Sequence, residues 1–528
     1  MNSTLNKNLE YFKARFPSLF KILSDDLGES SSSEKNYFEL VNARNGQISA
    51  KEGAFTLHSL YNPEREAENA VSQAEVAAKG SCIFYGFGLG WQVIKFCQKY
   101  PDKKLILIEP DTRRFFSVLE VLDWTPVFNH EKLILALGCP LENLISLLED
   151  GSKINVGTSG LSDSFIFDIP SFTAHASDYF DGVRQLVKRN QRKNEINAAT
   201  LKKFGKLWVK NSLRNLAELS KREGIKGFEN KALIDGKALP FLIIGAGPSL
   251  ESSLPYLGEL KKRMILVCVE TALKSLLKTG IEPDFIILLD PQYWAWRHIA
   301  GLKAPSSLLI SEISTWPALF RFDCKKIMLC KSQFPVGQYF EEKLSLDLGD
   351  LGSGGSVASA AWNFARMCGA ERIFTAGLDL SFPSKQTHIK GSSAEETFHT
   401  ISDRINSVEN MTAKVLFSAN SSSALNYLGE KVSTDSRMKM FAWWFEARLS
   451  ACPEVRTFTL CPQSMKIPGI EACKIEEALA LSDITEKKEI FLKSKMQSPA
   501  DTKALKALSS AFPDSEFFEK AGFLRDYF

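Results

Sequence analysis

Short apolar runs that end in polar or glycine-rich loops, separated by helix-length segments, are the feature that most limits the fold of this chain. The clearest series begins at "FLIIGAGPSLE" (241–251) and continues through "MILVCVE" (264–270), "DFIILLDPQ" (284–292) and "ERIFTAGLDLSF" (371–382). Runs as apolar as these are typical of strands buried on both faces of a sheet. We therefore predict a doubly wound parallel sheet in an α/β protein, with a helix over 250–258 after the first strand.

A shorter series of the same kind spans residues 81–111, where an apolar run, a glycine-rich turn, an amphipathic segment and a second apolar run follow one another. The turn contains Gly86, Gly88 and Gly90, and the second run ends at Glu109. This order predicts a βαβ unit whose loop and acid could bind a nucleotide or S-adenosylmethionine. Because a lone glycine turn is a weak signal, a purely structural Rossmann-like domain is an equal alternative.

The length of 528 residues and the 44% apolar composition are sufficient for more than one core. We predict a Rossmann-like domain over 1–195, a central catalytic domain over 196–470 and a mainly helical region over 471–528. The predicted fold class is thus two Rossmann-like, doubly wound parallel-sheet domains joined by a helical segment, followed by a mainly helical C-terminal piece.

Composition excludes several classes of protein. A net charge of +3 with no basic arm does not indicate nucleic-acid binding. No stretch is apolar enough for a membrane span, and the first residues do not resemble a secretory signal. The ten cysteines form no C-x-x-C pair, which indicates buried thiols in a reducing compartment and no metal site. We therefore expect a cytoplasmic protein.

The loops that follow the apolar runs between residues 241 and 382 are the predicted site, because ligands bind beyond the carboxyl ends of parallel strands. The candidate residues in these loops are Gly245, Gly247, Pro248, Ser249, Glu270, Thr271, Asp290 and Asp379. A further loop, at a predicted helix start that favours anions, contains Ser353, Gly354, Gly355 and Ser356. Each residue alone fits a tight turn or a helix cap, and only their convergence favours a nucleotide or sugar-nucleotide pocket.

Two histidines are candidates for the catalytic base. His388 stands in "SKQTHIKGS", a polar loop after the strand that ends near Asp379. Its reference pKa near 6.5 suits proton transfer at neutral pH, although a solvated loop histidine is an equal alternative. His399 is the reserve candidate.

In several ordered blocks the chain resembles the motility-associated factor (Maf) glycosyltransferases. The blocks "LHSLYNPEREAE", "GFGLG" and "IEPD" resemble the Maf N-terminal domain. "IIGAGPSLE", "IEPDFIILLDPQ", "GSGGSVASAAWNFARMCGAERIFTAGLDLSF" and "KQTHIKG" resemble the central domain, which Maf proteins share with the archaeal 6-hydroxymethylpterin pyrophosphokinase (MptE-like) family. A more distant similarity is to bacterial sialyltransferases that use CMP-sialic acid. The resemblance covers most of residues 50–470.

The resemblance implies an inverting, metal-independent transfer of a nonulosonic acid (pseudaminic or legionaminic type) from its CMP derivative to Ser or Thr hydroxyls of flagellin. It implies that the 245–249 and 353–356 loops hold the CMP-sugar, that His388 is the base and that no further cofactor is required. Asp290 stands where the sialyltransferases have an asparagine. Ser381 and Thr387 stand near the positions of the tyrosines that stabilise the departing phosphate there, so this assistance would come from Lys385, Lys390 or another loop.

Two alternatives stay open. The first is pyrophosphoryl transfer from ATP to a hydroxymethylpterin, with Mg²⁺ held by Asp290 and Asp379. The second is a non-catalytic, flagellin-binding motility accessory protein whose pocket is silent.

Overall fold

A computed structural model describes most of the chain, and its described residues are 3–30, 37–141, 143–144, 164–352, 354–418 and 421–527. The chain divides into two compact units, Met1–Ala199 and Thr200–Phe528. Both contain a parallel sheet with helices on its two faces, so the predicted α/β fold class is confirmed. None of the described helices has the length and apolar character needed to cross a membrane.

The N-terminal unit starts with helices Ser3–Arg15 and Pro17–Ser30. A three-stranded antiparallel sheet follows, formed by β1 (Glu39–Asn42), β2 (Ile48–Glu52) and β3 (Phe55–Thr56). The next helices are Pro63–Val71 and Ala74–Ala78. Asn62 caps the first of these by accepting a hydrogen bond from the Arg65 backbone N–H at 2.9 Å.

A four-stranded parallel sheet forms the centre of this unit, in the order β6-β5-β4-β7. Its strands are β4 (Ser81–Tyr85), β5 (Lys104–Glu109), β6 (Leu133–Leu137) and β7 (Ser164–Asp168). Its helices are Trp91–Lys99, Thr112–Leu119, Thr125–Phe128 and Pro170–Thr173. Cys82 and Phe84 point into one core, and Ile83 and Tyr85 point into the other. The 39-residue helix Ser177–Asn215 begins here and ends in the second unit.

The second unit contains an eight-stranded parallel sheet in the order β14-β13-β12-β11-β10-β15-β18-β19. Its strands are β10 (Phe241–Ile244), β11 (Ile265–Val269), β12 (Phe285–Ile287), β13 (Lys303–Ser311), β14 (Asp323–Leu329), β15 (Arg372–Ala376), β18 (Arg456–Thr459) and β19 (Ile470–Ala472). Two hairpins lie outside it, formed by β8 (Leu233–Ile234) with β9 (Lys237–Ala238) and by β16 (Ser422–Leu425) with β17 (Lys431–Thr434).

Helices cover both faces of this sheet. Along β10, Leu242 and Ile244 point into one core while Phe241 and Ile243 point into the other, as expected for a strand buried on both sides. The helices of the unit are Leu257–Arg263, Glu270–Lys278, Tyr293–Arg297, Pro335–Lys343, Val357–Met367, Ser393–Ile401, Val408–Ser418, Ser436–Ala451, Ile475–Leu479, Thr485–Leu492, Thr502–Ala511 and Ser515–Ala521.

The helix predicted over 250–258 is wrong in its first two turns. The chain after β10 forms short 3₁₀ turns, Pro248–Ser252 and Leu254–Tyr256, and becomes α-helical only at Leu257. Pro255 has no backbone N–H and therefore cannot donate the hydrogen bond that an α-helix needs at that position. The segment next to the glycine loop is thus a tight turn, and the α-helix begins farther from the loop.

Candidate functional site

The candidate site lies where the order of the eight-stranded sheet reverses. From β10 the chain builds the sheet in one direction as far as β14, and then returns to add β15 on the opposite side of β10. The loops that leave β10 and β15 therefore border the crevice at the carboxyl edge of the sheet where this order reverses. Crevices of this kind are the usual ligand sites of open parallel sheets.

At this point the loop after β10 lies directly against the loop after β15. Gly245 N–H donates to Ala376 O at 2.8 Å, and Gly247 N–H donates to Gly377 O at 2.9 Å. A Cβ added to Gly245 would stand 2.5 Å from Gly377 O, and one added to Gly377 would stand 2.4 Å from Gly245 O. The glycines are therefore required for close approach of two backbones.

Ser249 and Asp379 join the same two loops. The carboxylate of Asp379 accepts a 2.9 Å hydrogen bond from Ser249 N–H and a second one from the Ser249 hydroxyl. Both side chains are buried, and burial raises the pKa of Asp379 to about 6, although the bonds from Ser249 oppose the shift. Pro248 is buried and starts the first 3₁₀ turn.

These bonds use most of the N–H groups of the predicted phosphate cradle. The amides of Gly245, Gly247, Ser249 and Leu250 all donate within the protein. Ala246 is the loop residue whose N–H forms no hydrogen bond with another described residue. Ligand contacts by this loop stay a prediction, and in this arrangement they depend on the Ala246 amide more than on a row of free N–H groups.

The predicted anion loop lies at the start of helix Val357–Met367, as expected, but Ser353 lies outside the described residues. Ser356 is the N-cap, and its hydroxyl oxygen accepts a hydrogen bond from Ser359 N–H at 3.3 Å. Gly355 has a φ of +76° and lies against Phe441, and a Cβ at Gly354 would meet the Ser359 hydroxyl. Packing therefore explains why both positions are glycine. Ligand binding by this loop stays a prediction.

Two carboxylates follow the neighbouring strands. Glu270 starts helix Glu270–Lys278 directly after β11, with Thr271 beside it, and Asp290 follows β12. Glu270 is 5% exposed, and its Oε2 has no hydrogen-bond partner among the described residues. Burial raises the pKa of Glu270 to about 8, and the nearby charge of Asp290 adds to the shift. Asp290 itself accepts a 2.8 Å bond from Gln292 N–H.

His388 lies next to the glycine loop, because the following residue is bonded to it: Ile389 N–H donates to Ala246 O at 2.8 Å. The imidazole of His388 forms no hydrogen bond with any residue that the structure describes, and its Nδ1 is buried. Burial, together with the nearby charges of His298 and Arg437, lowers the pKa of His388 to about 4. A neutral imidazole free to accept a proton thus lies at the switch point.

His298, which the sequence analysis did not select, lies close to His388. It follows the short helix Tyr293–Arg297, and its backbone carbonyl accepts a 3.3 Å hydrogen bond from the Ser393 hydroxyl. Its Nδ1 is also buried and without a partner in the described chain, and burial lowers its pKa against the opposing effect of Asp290. The only sequence signal was its position a few residues after the predicted rim residue Asp290.

Backbone strain is concentrated between Asp379 and His388. Leu380, Ser384 and Lys385 have φ values of 45°, 53° and 59°, in the left-handed region that non-glycine residues rarely adopt. Such conformations persist where the surrounding structure holds them, and they are frequent at binding and catalytic sites. The strained loop is the one that delivers His388 to the glycine loop.

Three other residues that the sequence analysis named, Ser381, Thr387 and His399, differ in burial and in their hydrogen bonds. Ser381 is buried, donates to Asp379 O at 2.9 Å and accepts from Met465 N–H at 3.2 Å, so its hydroxyl is used within the fold. Thr387 is half-buried beside His388. His399 is exposed on helix Ser393–Ile401 and does not join the cluster around His388.

The N-terminal glycine loop is filled by protein side chains. A Cβ at Gly88 would stand 2.6 Å from His58 Nε2, and one at Gly90 would stand 2.4 Å from the Trp124 ring. Leu89 N–H donates to His58 Nε2 at 2.8 Å.

The first glycine of that loop and its acid are also engaged with protein groups. A Cβ at Gly86 would meet Phe172 O, and Glu109 is fully buried, paired with Arg114 at 2.9 Å and bonded to His175 at 2.8 Å. These contacts favour the structural alternative for this loop, and its nucleotide binding stays a prediction.

Comparisons with known proteins agree with the sequence blocks. Residues 29–133 match the family described as "Glycosyltransferase Maf N-terminal domain", and residues 210–385 match "6-hydroxymethylpterin diphosphokinase MptE-like". A protein of Treponema pallidum (strain Nichols) is 33% identical over 232 residues, which cover 38% of this chain and 58% of that protein. A second protein of the same organism is 27% identical over 49% of this chain and 85% of its own length.

The fold is also similar to a solved structure, that of the Maf glycosyltransferase from Magnetospirillum magneticum AMB-1. The TM-score is 0.57 at 14% sequence identity, and the match covers 97% of this chain and 81% of that one. At this identity the match shows the fold alone. The match to a Maf glycosyltransferase domain supports a glycosyltransferase, the coarser part of the predicted function. The chain is therefore similar to the Maf glycosyltransferases in its N-terminal domain and overall fold, and to the MptE-like proteins in its central region, as the sequence predicts.

Proposed function

We propose that the chain transfers a nonulosonic acid from its CMP derivative to a Ser or Thr hydroxyl of flagellin, with inversion and without a metal. The Maf N-terminal match and the shared fold support a glycosyltransferase, and this activity requires a nucleotide-sugar donor and an acceptor. The CMP donor, the sugar class and the flagellin acceptor are taken from the resemblance in the sequence. All ten cysteines lie in the described part of the chain and none forms a disulfide there, which supports the proposed cytoplasmic setting.

One observation carries the proposal: the loop of His388 is hydrogen-bonded to the glycine loop at the topological switch point, through Ile389 N–H and Ala246 O. The usual ligand position of an open parallel sheet and an imidazole without a partner among the described residues therefore coincide. Glu270 stands at the end of the strand next to β10, where doubly wound nucleotide-binding proteins place the acid that bonds a ribose hydroxyl. We assign it that role toward the cytidine ribose.

His388 is the base of the proposed reaction. A hydroxyl is a poor nucleophile, so His388 removes its proton as the new C–O bond forms at the anomeric carbon. The bond from this carbon to the phosphate oxygen breaks at the same time, and its electron pair leaves with CMP. Because the pKa of His388 is lowered to about 4, the imidazole is neutral and ready to accept the proton at neutral pH.

The first test is calorimetric titration of the full chain with CMP, with and without Mg²⁺, followed by transfer from a CMP-nonulosonic acid to purified flagellin. We expect metal-independent CMP binding, and loss of transfer in His388→Ala with CMP binding retained. His399→Ala is the matched control, because this histidine is exposed and outside the cluster. Absence of CMP binding, or full transfer by His388→Ala, would overturn the proposal.

A second candidate is transfer of a diphosphate from ATP to a hydroxymethylpterin, which the description of the family matching residues 210–385 favours. Such chemistry needs Mg²⁺ near the phosphates. Of the two carboxylates proposed for the ion, Asp379 already accepts two hydrogen bonds from Ser249, so the residues fit poorly. Mg²⁺-dependent binding of ATP together with no binding of CMP would promote this candidate.

A further inference from the structure

The proposed reaction leaves one need unfilled: the negative charge that develops on the departing phosphate requires a hydrogen-bond donor. Neither Ser381 nor Thr387 is a tyrosine, and the Ser381 hydroxyl is already bonded to Asp379 O. Polar groups near His388 that remain without partners are therefore the natural candidates. Two groups act on the charge of His388, Arg437 and His298: Arg437 pairs with Asp435 at 4.0 Å, whereas the His298 imidazole has no partner among the described residues.

Three elements meet at His298 and His388. Helix Glu270–Lys278 contacts both the helix that precedes His298 and helix Ser393–Ile401. The Ser393 hydroxyl bonds His298 O at 3.3 Å, and Lys278 Nζ donates to Gly391 O at 3.1 Å. These contacts fix the positions of the two histidine-bearing segments relative to each other.

Each imidazole lacks a partner in this arrangement. Neither ring forms a hydrogen bond with a described residue, and Nδ1 is buried in both. A buried polar atom without a partner costs free energy, so its persistence at a crevice is best explained by a ligand that bonds there. The Ser393 hydroxyl joins the segment of His388 to His298 O at 3.3 Å, and a charge on His298 acts on His388, so we place both rings at the same space.

We propose that His298 is a second catalytic residue, which donates a hydrogen bond from its neutral imidazole N–H to the departing phosphate of the nucleotide. The proposal rests on the proposed glycosyltransferase function. It assigns the two histidines to opposite sides of the anomeric carbon, with His388 toward the acceptor hydroxyl and His298 toward the phosphate.

The step is balanced without transfer of the His298 proton. The acceptor O–H proton goes to His388, the acceptor oxygen forms the new bond to carbon, and the electron pair of the broken C–O bond stays on the phosphate. His298 keeps its proton and only stabilises the charge, as a neutral N–H or O–H donor can. Asp290 follows β12, and its negative charge raises the pKa of His298, opposite to the effect of burial.

The test compares His298→Leu, which removes the donor, with His298→Gln, which keeps a neutral N–H donor of similar reach. The probe is CMP-N-acetylneuraminic acid, and both its hydrolysis by water and its transfer to flagellin are measured. For His298→Leu we expect kcat to fall about 10- to 100-fold in both reactions with little change in KM, because the bond is made mainly in the transition state. His298→Gln should recover most of this loss.

The exposed neighbour Arg297 supplies the control, and Arg297→Gln should behave as wild type. His388→Ala should lower transfer more than hydrolysis, whereas the loss in His298→Leu should be equal in the two. An unchanged kcat in His298→Leu, or a loss that His298→Gln does not recover, would overturn the role of His298 and leave the proposed function standing. Failure of the wild type to bind CMP in the titration would instead reject both.

Discussion

Ser249 donates two hydrogen bonds to the buried carboxylate of Asp379, from its N–H at 2.9 Å and from its hydroxyl, although 130 residues separate the two in sequence. The pair joins the loop after β10 to the loop after β15, on the two sides of the point where the sheet order reverses. The shape of the candidate site therefore depends on this contact as much as on the glycines.

Removal of the acceptor should destabilise the second unit. In Asp379→Ala two buried donors lose their partner, and each such loss costs about 1–3 kcal/mol. Asp379→Asn keeps one acceptor oxygen and should cost less. The measurement is urea unfolding of the full chain, followed through the transition of the second unit. Equal stability of Asp379→Ala and the wild type would contradict the structural role of the pair.

The glycine loop should tolerate no added methyl group at Gly247. Gly247→Ala would place a Cβ 2.4 Å from Asp379 Cγ, so one of the two loops must move. We expect lower stability and weaker CMP binding, measured by thermal unfolding and calorimetry. Gly258→Ala is the matched control, because its Cβ would meet Ile281 at 3.8 Å, an ordinary contact in a helix. Alanine should there be neutral or stabilising by up to about 1 kcal/mol. Similar losses in both variants would argue against the close-packing explanation.

The rate of transfer should depend little on pH in the range where an ordinary histidine titrates. A base must be deprotonated to act, and the pKa of His388 is lowered to about 4 by burial and by the charges of His298 and Arg437. We therefore expect kcat/KM to increase with pH up to about pH 5 and to stay level from pH 5.5 to 7.5. In Arg437→Gln the inflection should move to higher pH. An inflection near 6.5 in the wild type would show that the base is solvated or is another group.

Glu341 should make the second unit less stable as pH rises. It is 4% exposed, its Oε1 accepts from Ser332 N–H at 2.9 Å, and its Oε2 has no partner in the described part of the chain. Burial raises its pKa to about 8, with the charges of Glu312 and Asp350 adding to the shift and that of Lys331 opposing it.

Because the folded pKa lies above the unfolded one, the stabilisation is complete below about pH 4.5 and is lost as pH rises through 8. Glu341→Gln should remove part of this slope and raise the free energy of unfolding at pH 8.5 by on the order of 2 kcal/mol. Urea unfolding of both forms at pH 5 and pH 8.5 gives the comparison. Parallel pH dependences in the two forms would assign the slope to other groups.

The buried ion network of the N-terminal unit should matter far more than an exposed pair on the same unit. Arg114 is fully buried and pairs with Glu109 at 2.9 Å and Glu52 at 3.0 Å, so Arg114→Leu leaves buried charge unpaired at a cost of about 3–5 kcal/mol. Lys7 and Asp123 are both about half exposed, and Lys7→Ala should leave the free energy of unfolding almost unchanged. CMP binding should persist in both variants if the N-terminal loop binds no nucleotide.

The strands and their order of occurrence could be predicted because they are buried on both faces and are therefore continuously apolar, as in Phe241–Ile244 and Ile265–Val269. The start of the helix after β10 could not be predicted. The apolar periodicity favours a helix over 250–258, although Pro255 cannot donate the backbone hydrogen bond that such a helix needs. The glycines were recognised as special, but their partners lie at the end of β15 and in the loop after it and could not be identified from local sequence.

The sequence predicted which loops meet at this edge of the sheet better than which side chains contact one another there, and ligand binding by these loops stays a prediction. Carboxyl ends of parallel strands meet at one edge, which is why Glu270, Asp290, Asp379 and His388 were selected. The bond of Asp379 to Ser249 depends on how two distant loops approach, and no local pattern carries that information. His298 was missed because it follows a five-residue helix without a motif of its own.

Strand β15 lies inside the sheet only because a later segment of the chain adds β18 beside it. It pairs with β10 on one side and with β18 on the other, and β18 lies beyond residue 385, where the MptE-like match ends. A piece of this chain cut at that residue would keep the candidate glycine loop but expose the backbone of Ile373 and Phe374 as an open edge. Open apolar edges recruit strands from other molecules. Strands β18 and β19 thus cover an edge that would otherwise pair with other molecules. The matched region alone should therefore be much less soluble than the second unit as a whole.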